Sequence, residues 1–142
     1  MTGTDFMLEK SVYSTQSDRL ELIEYIINFF DRNYLYVTID RYEFYLILDE
    51  AVSNAMEHGN KWNKSKKIQV RIYRKDNSKI GILIKDEGDG FDTSLVSTTP
   101  NGSKITPLRG RGIFIMKTFC EVGWNESGNE VNLILKMKSA NG

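Results

Sequence analysis

Cysteine and histidine occur once each, as Cys120 and His58, in a chain of 142 residues. One cysteine excludes an intramolecular disulfide, and one Cys with one His excludes a zinc site built from several such ligands. Such sparing use of cysteine fits the reducing cytosol, so a cytoplasmic protein is expected. An excess of either charge is also missing: 19 basic residues face 19 acidic ones. No summed field draws such a chain to a phosphate backbone or an anionic surface, so neither nucleic acid nor membrane is expected as a partner. No segment approaches the ~20 apolar residues of a membrane span, and the opening MTGTDFMLEK has neither the basic flank nor the apolar run of a signal peptide. Internal repeats and low-complexity tracts are absent. The length suits a single domain, residues 1–142, that buries about two-thirds of its unfolded surface without staples.

Proline is confined to Pro100 and Pro107, both within the polar stretch from Asp92 to Leu108. That stretch reads as a loop longer than the ~12–15 residues common in compact domains, the length of a lid or binding loop, although a plain surface loop has the same composition. Before it, residues 6–13 form a candidate strand. Ser17 or Asp18 offers an N-cap for a helix whose Leu20, Ile23, Ile27 and Phe30 recur at helical spacing. A second helix is expected from Asp40 to Gly59, with Phe44, Ile47, Leu48, Ala51 and Ala55 as its apolar stripe and Gly59 as a left-handed C-terminal cap. KKIQVRIYRKD and SKIGILIKDEG, separated by Asp76, Asn77 and Ser78, predict a β-hairpin. After the loop, Gly112 to Glu121 reads as a short helix, followed by a strand near 122–125, a turn at 126–129 and a strand at 130–138. With room for a short strand between the first two helices, the order predicts an α+β two-layer sandwich. Its mixed, mostly antiparallel sheet has four to five strands, with the helices on one face.

Three separated segments carry chemistry. In LDEAVSNAMEHGN, Glu50 and Asn54 stand four residues apart and project from one helix face. A carboxylate beside a carboxamide oxygen suits a Mg²⁺ ion shared with nucleotide phosphates, and the carboxylate can take a proton from an attacking hydroxyl. Taken alone the pair is weak, because a solvated polar helix face is its commoner explanation. In DEGDGFD, residues 86–92, Asp86 at a strand end can accept a hydrogen bond from an exocyclic amine, while Gly88 and Gly90 let the backbone turn tightly against a flat ring. A plain glycine turn fits the same residues. A calcium loop does not, since glycines fill its third and fifth positions, Phe91 its sixth and Ser97 its twelfth. In LRGRGIFIMK, Gly110 and Gly112 precede an apolar helix and are flanked by Arg109 and Arg111. A helix start offers free N–H groups and the positive dipole end to an anion, and arginine adds charge that pairs with phosphate.

The order of helix Asn, strand-end Asp with glycines, long loop and glycine-flanked helix resembles the Bergerat-fold (GHKL-type) ATPase superfamily over roughly residues 40–136. DEGDGFD and GRGIFIMK are especially similar to the bacterial anti-sigma-factor serine protein kinases, whose chains are about this long. The resemblance implies ATP and Mg²⁺ as cofactors, with Asn54 as the Mg²⁺ ligand and Glu50 as the general base. It makes Asp86 the acceptor for the adenine amine, Gly88 and Gly90 the base pocket, residues 93–108 the ATP lid, and Gly110 and Gly112 the triphosphate turn. Arg109 and Arg111 are candidate phosphate contacts by charge. His58 matches a histidine of many relatives. Asn129 departs from the pattern, because many relatives have threonine after the equivalent of Gly128.

By the same resemblance, the function expected is that of a serine protein kinase and anti-sigma factor. It would bind a sigma factor and phosphorylate an anti-anti-sigma (STAS-type) partner, and relatives commonly form homodimers through the sheet region. The chain contains no G-x-x-x-x-G-K-[ST] loop and no H-R-D or D-F-G triplet. Its one histidine lies on the magnesium helix, which favours transfer to a serine or threonine in trans. The alternative is a non-catalytic ATP/ADP-binding module that sequesters a partner. A third reading, a structural domain without nucleotide, makes the glycines turns and the helix pair a solvated face. Tyr25, Tyr34 and Tyr36 are candidate exposed aromatics.

Overall fold

The computed structural model describes residues 5–90 and 107–139, and of residues 107–111 the backbone alone. The element order is β1 (Phe6–Tyr13), α1 (Gln16–Arg32), α2 (Arg41–Asn54), a π-helical turn (Ala55–Gly59), β2 (Lys67–Asp76), β3 (Lys79–Lys85), α3 (Pro107–Phe119), β4 (Glu121–Trp124) and β5 (Glu130–Lys136). The five strands form one sheet in the order β1-β2-β3-β5-β4, and every pair is antiparallel. This is the α+β sandwich the sequence predicts. The expected short strand between the helices shrinks to a single bridge, Val37 to Met137.

Alternation in the strands decides which sheet face is covered. Ile68, Val70 and Ile72 of β2, Ile80, Ile82 and Ile84 of β3, and Val131, Leu133 and Leu135 of β5 all point to one side. There they meet Ile23, Ile26 and Phe30 of α1, Ile47, Leu48 and Val52 of α2, and Ile113 and Met116 of α3 in a single core. The opposite face is polar at its centre. Arg71 pairs with Glu130 at 2.6 Å and lies over the Phe6 ring, and the Tyr73 hydroxyl donates to Asn132 at 3.0 Å.

Local boundaries depart from the sequence expectations for identifiable reasons. Helix α1 is capped by Thr15, whose Oγ1 accepts from the Asp18 amide at 3.1 Å, so Ser17 and Asp18 lie inside the first turn. Leu20 faces solvent while Leu22 and Ile26 take the core stripe. Helix α2 begins as expected at Asp40, in a capping box: Asp40 Oδ1 accepts from Glu43 N at 2.8 Å, and Glu43 Oε1 accepts from Asp40 N at 3.0 Å. Helix α3 starts at Pro107, five residues before the expected Gly112. Proline is suited to a first helical position, because its fixed φ is helical and its missing N–H is not needed there. Gly110 and Gly112 therefore lie within the first two turns of α3. Residues 107 and 108 of the expected lid belong to the same helix; its residues 93–106 lie outside the described residues. Strand β4 begins at Glu121, where helix was expected.

Among the described residues no helix is long and apolar enough to cross a membrane. Tyr25, Tyr34 and Tyr36 are exposed as expected, with Lys10 Nζ 4.4 Å from the Tyr25 ring, and Tyr42 is exposed as well.

Asp40→Ala removes the N-cap of the helix that carries Glu50 and Asn54, and should lower stability by about 1 kcal/mol in urea unfolding. The Cys120 thiol, which donates to the Met116 carbonyl, is pushed up to about 12 by burial first and the neighbouring Glu121 charge second. It should not react with a chromogenic disulfide reagent at pH 8 in the native protein, and should react once unfolded. Above pH ~9 the unfolded chain releases a proton that the folded one keeps, so this group makes stability fall as pH rises from there.

Candidate functional site

Register places the site at the end of the central strand. Lys85 of β3 pairs with Glu130 of β5, so the next residue on β3 and the preceding one on β5, Asp86 and Asn129, extend the same ladder. The Asp86 amide donates to the Asn129 carbonyl at 2.9 Å. Asp86 is buried, and its Oδ1 accepts the Gly88 amide at 2.8 Å, which closes the turn that leaves the strand. Gly90 holds φ +81°, and a Cβ there would lie 1.8 Å from the Ser127 carbonyl oxygen. That combination leaves glycine as the unstrained residue.

On the other side the turn meets the end of the α2 segment. A Cβ on Gly59 would sit 2.2 Å from Asp86 Cγ, and one on Gly88 would sit 2.3 Å from the Gly59 carbonyl oxygen. The expected left-handed cap at Gly59 is not formed: the positive φ values in this region belong to Lys61 and Trp62, both at 54°. Gly59 is small because the Asp86 carboxylate lies against it. Helix α2 itself widens into the π-turn, where the Asn60 amide donates to the Ala55 carbonyl five residues back at 2.9 Å. Such turns are frequent at functional sites.

A cavity of about 350 Å³, its open mouth included, lies between these elements. Asn54 of α2, Asp86, Ile113 and Met116 of α3, Trp124, and Gly128 with Asn129 of the β4–β5 loop line it, over a floor of Ala51, Ile84 and Val131. Glu50 stands beside it one helical turn before Asn54. A Cβ on Gly112 would lie 2.6 Å from Glu50 Oε2 and 3.4 Å from Asn54 Nδ2, so a side chain on α3 would fill the space in front of this pair. The three segments singled out in the sequence thus converge. The Arg109 and Arg111 side chains lie outside what the structure describes. His58 is half-buried in the π-turn with Nε2 3.8 Å from Glu57 Oε2.

Sequence reasoning passed over the apolar lining residues Ile113, Met116 and Trp124, and also Asn125, which organises the opposite loop without lining the cavity. Asn125 Oδ1 accepts the amides of Gly128, Asn129 and Glu130 at 2.9, 3.0 and 3.2 Å, and its Nδ2 donates to Asn129 Oδ1 at 2.7 Å. Ser127 Oγ lies 3.0 Å from the same oxygen. At the position where threonine was the expected pattern, the Asn129 oxygen is therefore occupied within its own loop. The signal for this was the density of Asn, Ser and Gly between 125 and 129, typical of side-chain-braced turns.

The sequence profile of the histidine kinase-like ATPase domain matches residues 20–135. Among solved structures, the mycobacterial sensor histidine kinase MprB superimposes with a TM-score of 0.50 over 92% of this chain and 99% of that chain at 12% identity, a likeness of fold. No curated protein is a significant match to the chain.

Gly59→Ala should test the packing of the turn. The added methyl displaces the Asp86 carboxylate, and loss of one charge-assisted hydrogen bond should weaken nucleotide binding about tenfold or more in calorimetry. Unchanged affinity would show that Asp86 does not need its present position.

Proposed function

The chain belongs to the histidine kinase-like ATPase domain family, and from that premise we propose that it is a serine protein kinase and anti-sigma factor. In this reading it binds ATP, sequesters a sigma factor and phosphorylates an anti-anti-sigma partner of the STAS type. One observation carries the reading: Asn54 and Asp86 line one cavity, with Glu50 beside Asn54 at its α3 wall. Those are the groups an ATP-dependent transfer to a hydroxyl requires.

Asp86 would accept the adenine amine, with Gly88 and Gly90 letting the backbone approach the ring and Ile113, Met116 and Trp124 supplying its apolar walls. The triphosphate would run toward the first turns of α3, at Gly110 and Gly112. Free N–H groups of a helix belong to its first turn, which here ends at Gly110 and leaves Gly112 one turn deeper in α3, and Arg109 and Arg111 would add positive charge to this part of the chain. Among the described residues no three His, Cys, Asp or Glu side chains cluster as a metal cage. An oxygen pair such as Asn54 with Glu50 nevertheless fits Mg²⁺, which keeps several waters and is commonly held through one or two protein groups plus phosphates. Asn54 would be the ligand, and the ion, when bound, would neutralise charge on the phosphates.

Glu50 is half-buried and carries the chemistry assigned to a general base. The partner's serine oxygen attacks the γ-phosphorus, the bond from that phosphorus to the β–γ bridging oxygen breaks, ADP leaves, and the hydroxyl proton passes to the Glu50 carboxylate. Transfer to serine in trans agrees with the position of the chain's one histidine, His58, in the π-turn that follows the magnesium helix.

The test is incubation with γ-radiolabelled ATP and a recombinant STAS-type partner. Label is expected on a partner serine. Glu50→Ala should keep ATP affinity within about twofold while transfer falls roughly 10²–10⁴-fold, the range that general-base assistance contributes. Transfer unchanged by the substitution would remove Glu50 from the reaction. ATP binding without transfer to any STAS partner would favour a non-catalytic module that holds its partner in a nucleotide-dependent complex.

A further inference from the structure

Asn60 is among the most buried polar residues described, at 1% exposure, and no step of the chemistry above uses it. Its side chain makes three hydrogen bonds to three separate pieces of chain. Nδ2 donates to Ser14 Oγ at 2.8 Å and to the Lys67 carbonyl at 3.0 Å, while Oδ1 accepts the Glu87 amide at 2.8 Å. Ser14 in turn donates to the Lys66 carbonyl at 3.0 Å, and the Glu87 carboxylate accepts the Lys67 amide. The first two bonds tie Asn60 to the ends of β1 and β2. The third reaches the turn that carries Asp86 on one side of Glu87 and Gly88 on the other.

We propose that Asn60 is a positioning residue for base recognition, fixing the Asp86–Gly88 turn against the end of the π-turn through the Glu87 amide; this rests on the assignment of Asp86 as acceptor for the adenine amine. The neighbouring contacts support a positional role. Gly59, one residue before Asn60, lies against the Asp86 carboxylate, and its carbonyl lies against Gly88. A lateral shift of the turn would move that carboxylate while leaving the helix pair at Glu50 and Asn54 in place. Asn60 therefore acts on selectivity for the base rather than on the triphosphate end of the site. An asparagine serves here because it both donates and accepts: aspartate loses the two donated bonds, and leucine, though nearly isosteric, loses all three.

The experiment compares ATP with inosine triphosphate, which carries an oxygen where ATP carries the amine and so faces Asp86 acceptor to acceptor. Wild-type protein should prefer ATP by about tenfold or more. Asn60→Ala should reduce that preference about tenfold by weakening ATP while inosine triphosphate affinity stays within twofold. Ser14→Ala, which removes a bond on the side away from the turn, should lower the melting temperature and keep the preference. Where the alanine variant does not fold, Asn60→Ser, whose single short hydroxyl can hold at most part of the network, carries the same comparison. Equal weakening of both nucleotides by the Asn60 variants, or an intact preference in them, would overturn the proposal and leave the base pocket standing. A wild-type protein that does not prefer ATP would overturn the assignment of Asp86 itself.

Discussion

The contact on which the site depends is backbone against backbone: the end of the π-turn, Gly59–Asn60, pressed onto the turn Asp86–Gly88. Neither side has room for a β-carbon at Gly59 or Gly88, the Asp86 carboxylate lies against Gly59, and Asn60 makes three hydrogen bonds, one of them across the joint to the Glu87 amide. An unsatisfied buried amide would cost ~1–3 kcal/mol, which holds the Asn60 side chain to its partners. Every other element of the site can be described by its relation to this joint. Helix α2 leads into it, β3 ends in it, and the β4–β5 loop covers it from the far side.

The sheet explains why that joint is rigid. β3 is central, bonded on one edge to β2 and on the other to β5. Asp86 leaves the sheet from its most constrained strand, with its own amide still in the ladder. The β4–β5 loop across from it is braced by Asn125, one carbonyl oxygen serving three consecutive amides. By contrast, the wall formed by α3 is a helix with glycine at 110 and 112, residues that weaken a helix by up to ~1 kcal/mol each relative to alanine. The Asp86 side of the cavity is thus built from multiply bonded backbone and the α3 side from a segment of low helix propensity.

Much of this was legible in the sequence because it follows from periodicity. The isoleucines of β2 and β3 alternate and the stripe from Phe44 to Ala55 repeats at helical spacing, so fold and helix face could be read directly. Asn54 and Asp86, singled out by their places at a helix face and a strand end and by the order of the motifs, do line one cavity. What could not be read depends on partners distant in sequence. Gly59 looks like a helix cap until Asp86, 27 residues on, is seen against it. Asn60 looks like any polar loop residue until Ser14, Lys67 and Glu87 surround it. The early start of α3 was hidden because Pro107, taken as a loop residue, is also a favoured helix opener.

The π-turn has a consequence for how this chain can vary. A π-turn holds one residue more than an α-helix needs for the same advance, and each helical residue rotates its successor by about 100°. Removing a single residue between Ala55 and Gly59 would restore ordinary winding and abolish the widened turn that leads into the Gly59–Asp86 contact. Gly59 must stay without a β-carbon, and the residue count of the stretch is fixed as well, so insertions and deletions should be barred here while remaining open in the hairpin turn at Asp76–Ser78.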